Sequence, residues 1–141
     1  MQNVLFLCTG NSCRSIVAEA LLNDLRGDEF TAFSAGSHPA GQVNPSALEA
    51  LRARGHAAEG LSSKSWNEFS GPSAPPLDIV ITVCDNAAGE ACPVWNGAPR
   101  TLHWGLPDPA EFVDPGEQRQ VFEYVYERLT EKISALRAEE R

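Results

Sequence analysis

The chain has 141 residues, 43% hydrophobic and 21% charged, the proportions of an ordinary globular domain, and one domain spanning 1–141 is expected. Nineteen acidic residues against eleven basic ones leave a net charge of −8, which would repel a nucleic-acid backbone, although a local arginine and oriented amides can still hold a small anion. No apolar run approaches the ~20 residues of a membrane span, and the short apolar stretch at the N-terminus lacks a basic lead-in, so neither a membrane anchor nor a signal peptide is expected.

In chain order, residues 3–8 read as a buried strand, an apolar run of strand length bounded by a glycine turn. Residues 14–26 read as a helix with Ile16, Val17, Ala20, Leu21 and Leu25 inward and Gly27 as its stop. Phe30–Ser34 is a second short strand, ended by Ala35-Gly36. Pro45–Arg54 is a second helix, with Pro45 in its first turn, Ala47, Leu48 and Leu51 inward, and Gly55 after it. Residues 62–76, rich in Ser, Gly and Pro, form a loop with one helical turn over 66–69. Leu77–Val83 is the strongest strand, too apolar to have a wet face. Arg100–Trp104 is a last short strand, and Val121, Phe122, Val125, Leu129, Ile133 and Leu136 mark a long amphipathic helix over 117–137.

Strands alternating with helices predict an α/β fold with a parallel sheet whose ligand sits beyond the carboxyl ends of the strands. Cys8 and Cys84 each follow such a strand, so both belong on one edge of the sheet. The stretch Cys8-Thr9-Gly10-Asn11-Ser12-Cys13-Arg14-Ser15 joins the first strand to the first helix. A tight loop there aims backbone N–H groups and the positive helix end at one point, a ready site for a tetrahedral oxyanion. The helix end and Arg14 lower the pKa expected of the Cys8 thiol, and the Arg14 fork can grip two anion oxygens. Gly10 and Asn11 are the residue types that tolerate the positive φ an inward-curling loop requires. Ser12 and Ser15 supply hydroxyls to the anion or the thiolate, while Cys13 faces the core with no chemical role. Four cysteines without an export signal point to a reducing, cytoplasmic setting, where catalytic or metal-bound thiols outnumber disulfides. The spacing of Cys84 and Cys92 is not that of a zinc site, so no resident metal is expected.

The N-terminal Cys-x5-Arg-Ser loop resembles that of the low-molecular-weight protein tyrosine phosphatases, which also carry a late Asp-Pro pair; here that pair is Asp108-Pro109. Where those phosphatases place an aromatic residue next, this chain has Ala110. Thr82-Val83-Cys84 through Ala91-Cys92-Pro93, then His103-Trp104-Gly105 and Asp108-Pro109-Ala110, resemble instead the arsenate reductases built on the same fold, and the likeness covers essentially the whole chain. The resemblance implies a three-layer sandwich around a four-stranded parallel sheet with the flavodoxin-like strand order 2-1-3-4.

It also implies a reaction. Cys8 attacks arsenate held by Arg14 and the loop 9–15, with Asp108 as general acid. Cys84 then attacks Cys8, arsenite leaves, and Cys92 takes over the disulfide for thioredoxin. Phosphate and sulfate would compete for the loop. Glutaredoxin with glutathione, or mycothiol, are alternative reductants, and a monomer is expected. Some members of the family hold potassium through an Asn, a Ser and an acidic residue. Asn11 and Ser34 match the first two, but Lys64 stands at the acidic position, so neither potassium nor another tightly bound cofactor is expected. The competing readings are a phosphatase hydrolysing phosphomonoesters through a Cys8 phosphoenzyme and, more remotely, a metalloid or zinc binder.

Overall fold

The computed structural model describes residues 1–56, 58, 60–83, 95–97, 99–107, 109 and 114–137. Four strands, β1 (Gln2–Cys8), β2 (Phe30–Gly36), β3 (Ile79–Thr82) and β4 (Arg100–His103), form one parallel sheet in the order β2-β1-β3-β4. Three helices, α1 (Arg14–Arg26), α2 (Pro45–Ala53) and α3 (Pro115–Ala135), and a 3-10 turn over Trp66–Phe69 complete the described elements. The expected architecture and strand order are those observed.

β1 is central, paired with β2 on one side and β3 on the other. Its side chains alternate between two cores, as strand geometry demands. Val4, Phe6 and Cys8 face Val17, Leu21, Leu51, Phe122, Leu129 and Ile133, a core built with all three helices. Leu5 and Leu7 face Phe69, Leu77 and Val80, with Phe33, Trp66 and Trp95 around them. A strand buried on both faces has no polar register to occupy, which is why its sequence is a continuous apolar run.

The helices are set by their ends. Asn44 caps α2, its Oδ1 accepting from the Ser46 N–H at 2.9 Å, with Pro45 just inside. Asp114 caps α3, accepting from the Glu117 N–H at 2.9 Å, so this helix starts two residues before the apolar periodicity suggests. Within α3, Phe122, Val125, Leu129 and Ile133 recur every three to four residues and are buried.

The structure corrects several expectations. Leu25, expected to face inward, is 45% exposed. Leu48 is only half-buried. Gly27 closes α1 in a right-handed conformation, φ −66°, rather than through a left-handed cap. β2 continues through Ala35-Gly36, β3 is confined to Ile79–Thr82, and β4 ends at His103. The register pairs Cys8 with Gly36, Leu7 with Thr82, and Thr82 with His103, so the carboxyl ends of all four strands share one edge.

Candidate active site

At that edge the chain leaves β1 at Cys8 and enters α1 at Arg14. The loop between is held from outside by its carbonyls. The N–H groups of His38, Ala40 and Asn44 donate to Thr9 O, Gly10 O and Ser12 O at 2.9, 2.9 and 2.8 Å, and Ser63 Oγ adds a second donor to Gly10 O. A trans peptide carries its N–H opposite its carbonyl, so anchoring these oxygens outward turns the N–H groups of Gly10, Asn11 and Cys13 the other way. Among the described residues, the only positive φ outside glycine is at Asn11, 45°. Gly10 does not share it, contrary to the sequence expectation. One reversal curls the loop, and Asn11 is fastened in it: Oδ1 accepts the Lys64 N–H at 2.8 Å, and Nδ2 donates to Ser15 Oγ at 2.9 Å. Asn11 and Ser15 are both fully buried, so their polar atoms satisfy one another.

Cys13 stands at the N-cap of α1 without a side-chain capping bond, and the first turn holds no acidic residue. The positive helix end is therefore left to whatever anion occupies the loop. Cys8 and Cys13 are each 4% exposed, and both border the helical core. Arg14 Nη1 donates to Leu106 O at 3.0 Å, while the Leu106 N–H donates to Val83 O at 3.1 Å. Leu106 thus fixes the Arg14 guanidinium to the segment following β3. Thr9 and Ser12 are half-buried along the rim.

Two residues of this site carry no obvious mark in the sequence. Gly36 lies directly under the loop: a Cβ there would sit 2.4 Å from Thr9 O, 2.9 Å from Cys8 O and 3.0 Å from the Asn11 N. Glu19, one turn beyond Ser15 in an otherwise apolar helix face, accepts from Ser34 Oγ at 2.5 Å. Its only signal is that lone charge in the stretch Ile16–Leu22. Lys64 Nζ donates to Ser34 O at 3.0 Å and Ser62 O at 2.7 Å and lies 3.9 Å from Glu19 Oε1. Burial pushes the Glu19 carboxyl up from its ordinary value, with the Ser34 hydroxyl and the Lys64 charge opposing the shift.

Of the sequence-derived candidates, Cys8, Arg14, Asn11, Ser15, Ser34 and Lys64 therefore belong to one connected assembly. Cys84, Cys92 and Asp108 lie outside the described residues, as does Ala110. Their flanks are described: Val83 accepts from Leu106, Pro109 O accepts from Gln118 Nε2 at 3.3 Å, and Trp95 packs edge-on to Trp66 at 6.4 Å. His103 Nδ1 pairs with Thr82 Oγ1 at 2.7 Å, and His56 is buried between Asp24 and Tyr126, both structural placements.

Residues 3–140 match the family of low molecular weight phosphotyrosine protein phosphatases. An arsenate reductase of Halalkalibacterium halodurans is 34% identical over 131 residues, covering 92% of this chain and 91% of that protein. A solved arsenate reductase in its phosphate-binding state superposes with a TM-score of 0.75 at 27% identity, covering 97% of this chain and all of the other. A thioredoxin-dependent arsenate reductase of Corynebacterium glutamicum gives 0.69 at 29% identity, covering 96% of this chain and 61% of the other. The chain belongs to the low-molecular-weight phosphotyrosine protein phosphatase family, among relatives that are arsenate reductases.

Proposed function

We propose that this chain reduces arsenate to arsenite. The observation that carries the reading is the likeness to arsenate reductases over nearly the whole chain; the oxyanion-holding geometry of the Cys8–Arg14 loop agrees with it. The Cys8 thiolate attacks arsenic, an As–O bond breaks, and Asp108 protonates the departing oxygen. The Cys84 thiolate then attacks Cys8 Sγ. The electron pair of the S–As bond stays with arsenic, which leaves as arsenite, and a Cys8–Cys84 disulfide remains. Attack by Cys92 on Cys84 frees Cys8 and carries the disulfide to where a dithiol reductant can open it. Thioredoxin is the proposed reductant because one similar solved protein is thioredoxin-dependent; glutaredoxin with glutathione, and mycothiol, are the alternatives. The proposed working form is a cytoplasmic monomer.

Potassium has no part in this scheme. The Lys64 ammonium, with two carbonyls and the Glu19 carboxylate around it, supplies the positive charge behind Asn11 that an alkali cation would otherwise supply. No resident metal or other cofactor is proposed.

The test is arsenate-dependent NADPH oxidation coupled through thioredoxin and its reductase, in the wild type and in Cys84→Ser and Cys92→Ser. Both variants are expected to lose multiple turnover, and full activity in either sinks the relay. The second reading, a phosphomonoester hydrolase acting through a Cys8 phosphoenzyme, is favoured by the family match. It requires aryl phosphate turnover that survives both substitutions, in a protein that does not reduce arsenate.

A further inference from the structure

We propose that Gln118 is a positioning residue for the Asp108 general acid, acting through the carbonyl of Pro109; the inference rests on the arsenate reduction proposed above. Gln118 Nε2 donates to Pro109 O at 3.3 Å. Pro109 follows Asp108 directly in the chain, so the contact falls on the residue next to the acid. A proline carbonyl can only accept and its ring nitrogen carries no hydrogen, so the bond requires the NH2 end of the glutamine amide.

The place of Gln118 in α3 calls for such a bond. Phe122, Val125, Leu129 and Ile133, all buried, follow it by 4, 7, 11 and 15 residues, so it heads the apolar stripe of the helix. From Asp114 to Gln120 every residue is exposed except Gln118, which is half-buried. A glutamine turned inward on an apolar stripe needs partners for its amide, and the Pro109 carbonyl is one. The helix start that carries it is fixed in turn. Asp114 caps it through the Glu117 N–H, and the Gln118 N–H donates to Asp114 O at 2.9 Å.

The other end of the acid segment is tied to the oxyanion loop. Leu106 O accepts from Arg14 Nη1 at 3.0 Å, and the Leu106 N–H donates to Val83 O at 3.1 Å. Leu106 and Pro109 are both buried, and Asp108 lies between them in the stretch Leu106-Pro107-Asp108-Pro109. Each proline locks its own φ and confines the residue before it to extended backbone, so this stretch is stiff by sequence. A stiff strut pinned to Arg14 at one end and to α3 at the other holds its acid at a set distance from the anion. With the Pro109 pin removed, the strut can swing about Leu106, and the transfer of the Asp108 proton to the departing oxygen loses its alignment.

The test is single-turnover arsenite release: reduced protein is mixed with arsenate and quenched with acid, so no external reductant enters the rate. Gln118→Met removes the donor and keeps the side-chain length. The saturating rate is expected to fall about tenfold, the scale of one lost hydrogen bond and a partial misplacement, while half-saturating arsenate stays within about twofold. In an Asp108→Asn background, itself slowed by about 10²-fold, Gln118→Met is expected to cost nothing further, because the group it positions is gone. A glutamine of merely structural value would slow both backgrounds alike. Gln118→Glu, close to isosteric and without a donor as the carboxylate, carries the same test should methionine disturb the helix. No arsenite from the wild type, or an undiminished rate in Asp108→Asn, overturns the reaction scheme and this proposal with it. Where Asp108→Asn is slow, an undiminished rate in both Gln118 variants, or an equal further loss in the Asp108→Asn background, overturns the positioning role alone.

Discussion

Replacing Gly36 by alanine tests whether the oxyanion loop is held in place by close backbone packing. The new methyl carbon would stand 2.4 Å from Thr9 O, 2.9 Å from Cys8 O and 3.0 Å from the Asn11 N, all main-chain atoms that no rotamer change can move. Ordinary contact begins near 3.5 Å, so Thr9 O must retreat by about 1 Å. That retreat strains the His38–Thr9 bond and displaces the peptide that follows Cys8. A misplacement of about 1 Å in a reacting assembly costs on the order of 10²-fold in rate, or about 2.7 kcal/mol of barrier. Overpacking of this kind also costs roughly 1–3 kcal/mol of stability. The assay is kcat/KM for arsenate in the thioredoxin-coupled system, with urea unfolding alongside. Gly71→Ala, where an added Cβ meets nothing within 4 Å, is the control and should match the wild type. Activity of Gly36→Ala within about threefold of wild type, with equal stability, would refute the argument, since a barrier change below 0.7 kcal/mol leaves no room for the displacement.

Gly97 has φ +94°, and a Cβ there would lie 2.6 Å from Leu77 O; Gly97→Ala is expected to lose roughly 2–4 kcal/mol in urea unfolding, through strain and clash together. Lys64→Asp should make arsenate turnover depend on potassium over sodium, whereas the wild type should show no preference; equal rates of the variant in both salts would count against a cation position behind Asn11. The folded-state pKa of Glu19 is raised above 4.5, so the folded protein binds the extra proton. Its contribution to stability is present below about pH 4.5 and is lost as pH rises through the folded value. The stability difference between wild type and Glu19→Gln should therefore fall across that window, as followed by chemical unfolding at a series of pH values, and a flat difference would show that burial does not govern this carboxyl.

Much of this site is legible in the sequence because it is local. A strand, a loop of Gly and Asn, and a helix beginning at Arg14 are contiguous, and the physics of a helix N-terminus acts over the same few residues. β1 was legible for a related reason, since burial on both faces erases alternation. What local reasoning missed comes from pairs distant in the chain. Gly36 is 28 residues from Cys8 by number, yet the two are partners in the sheet. Nothing in Ala35-Gly36-Ser37 announces that a carbonyl from β1 will pass where a methyl would be. Leu106 holds Arg14 through a main-chain carbonyl, a role its side chain does not encode. The positive φ fell on Asn11 rather than on the more permissive Gly10, and the asparagine is fixed there by a long-range bond from Lys64 as well as a local one to Ser15. Leu25 shows the reverse failure: it shares the helical spacing of Ile16, Val17, Ala20 and Leu21, yet it is 45% exposed.

The same distance argument explains how a protein of net charge −8 can be built to hold an oxyanion. At physiological ionic strength exposed charges are screened over about 8 Å, so most of the surface carboxylates act weakly on the loop. Among the described residues, Glu19 is the acidic residue that cannot be dismissed this way, since it is largely buried one turn behind Ser15 on the helix that begins at Arg14. Its field is opposed on the spot by Lys64 at 3.9 Å and by the Ser34 hydroxyl. Burial pushes the carboxyl toward its neutral form, and the ammonium balances what charge remains. Either way this assembly adds little negative potential, which leaves the α1 N-terminus and Arg14 as the main local field among the described residues. Lys64 also holds Asn11 through its backbone N–H, so the residue that balances the charge behind the loop is the one that fixes the loop's curl.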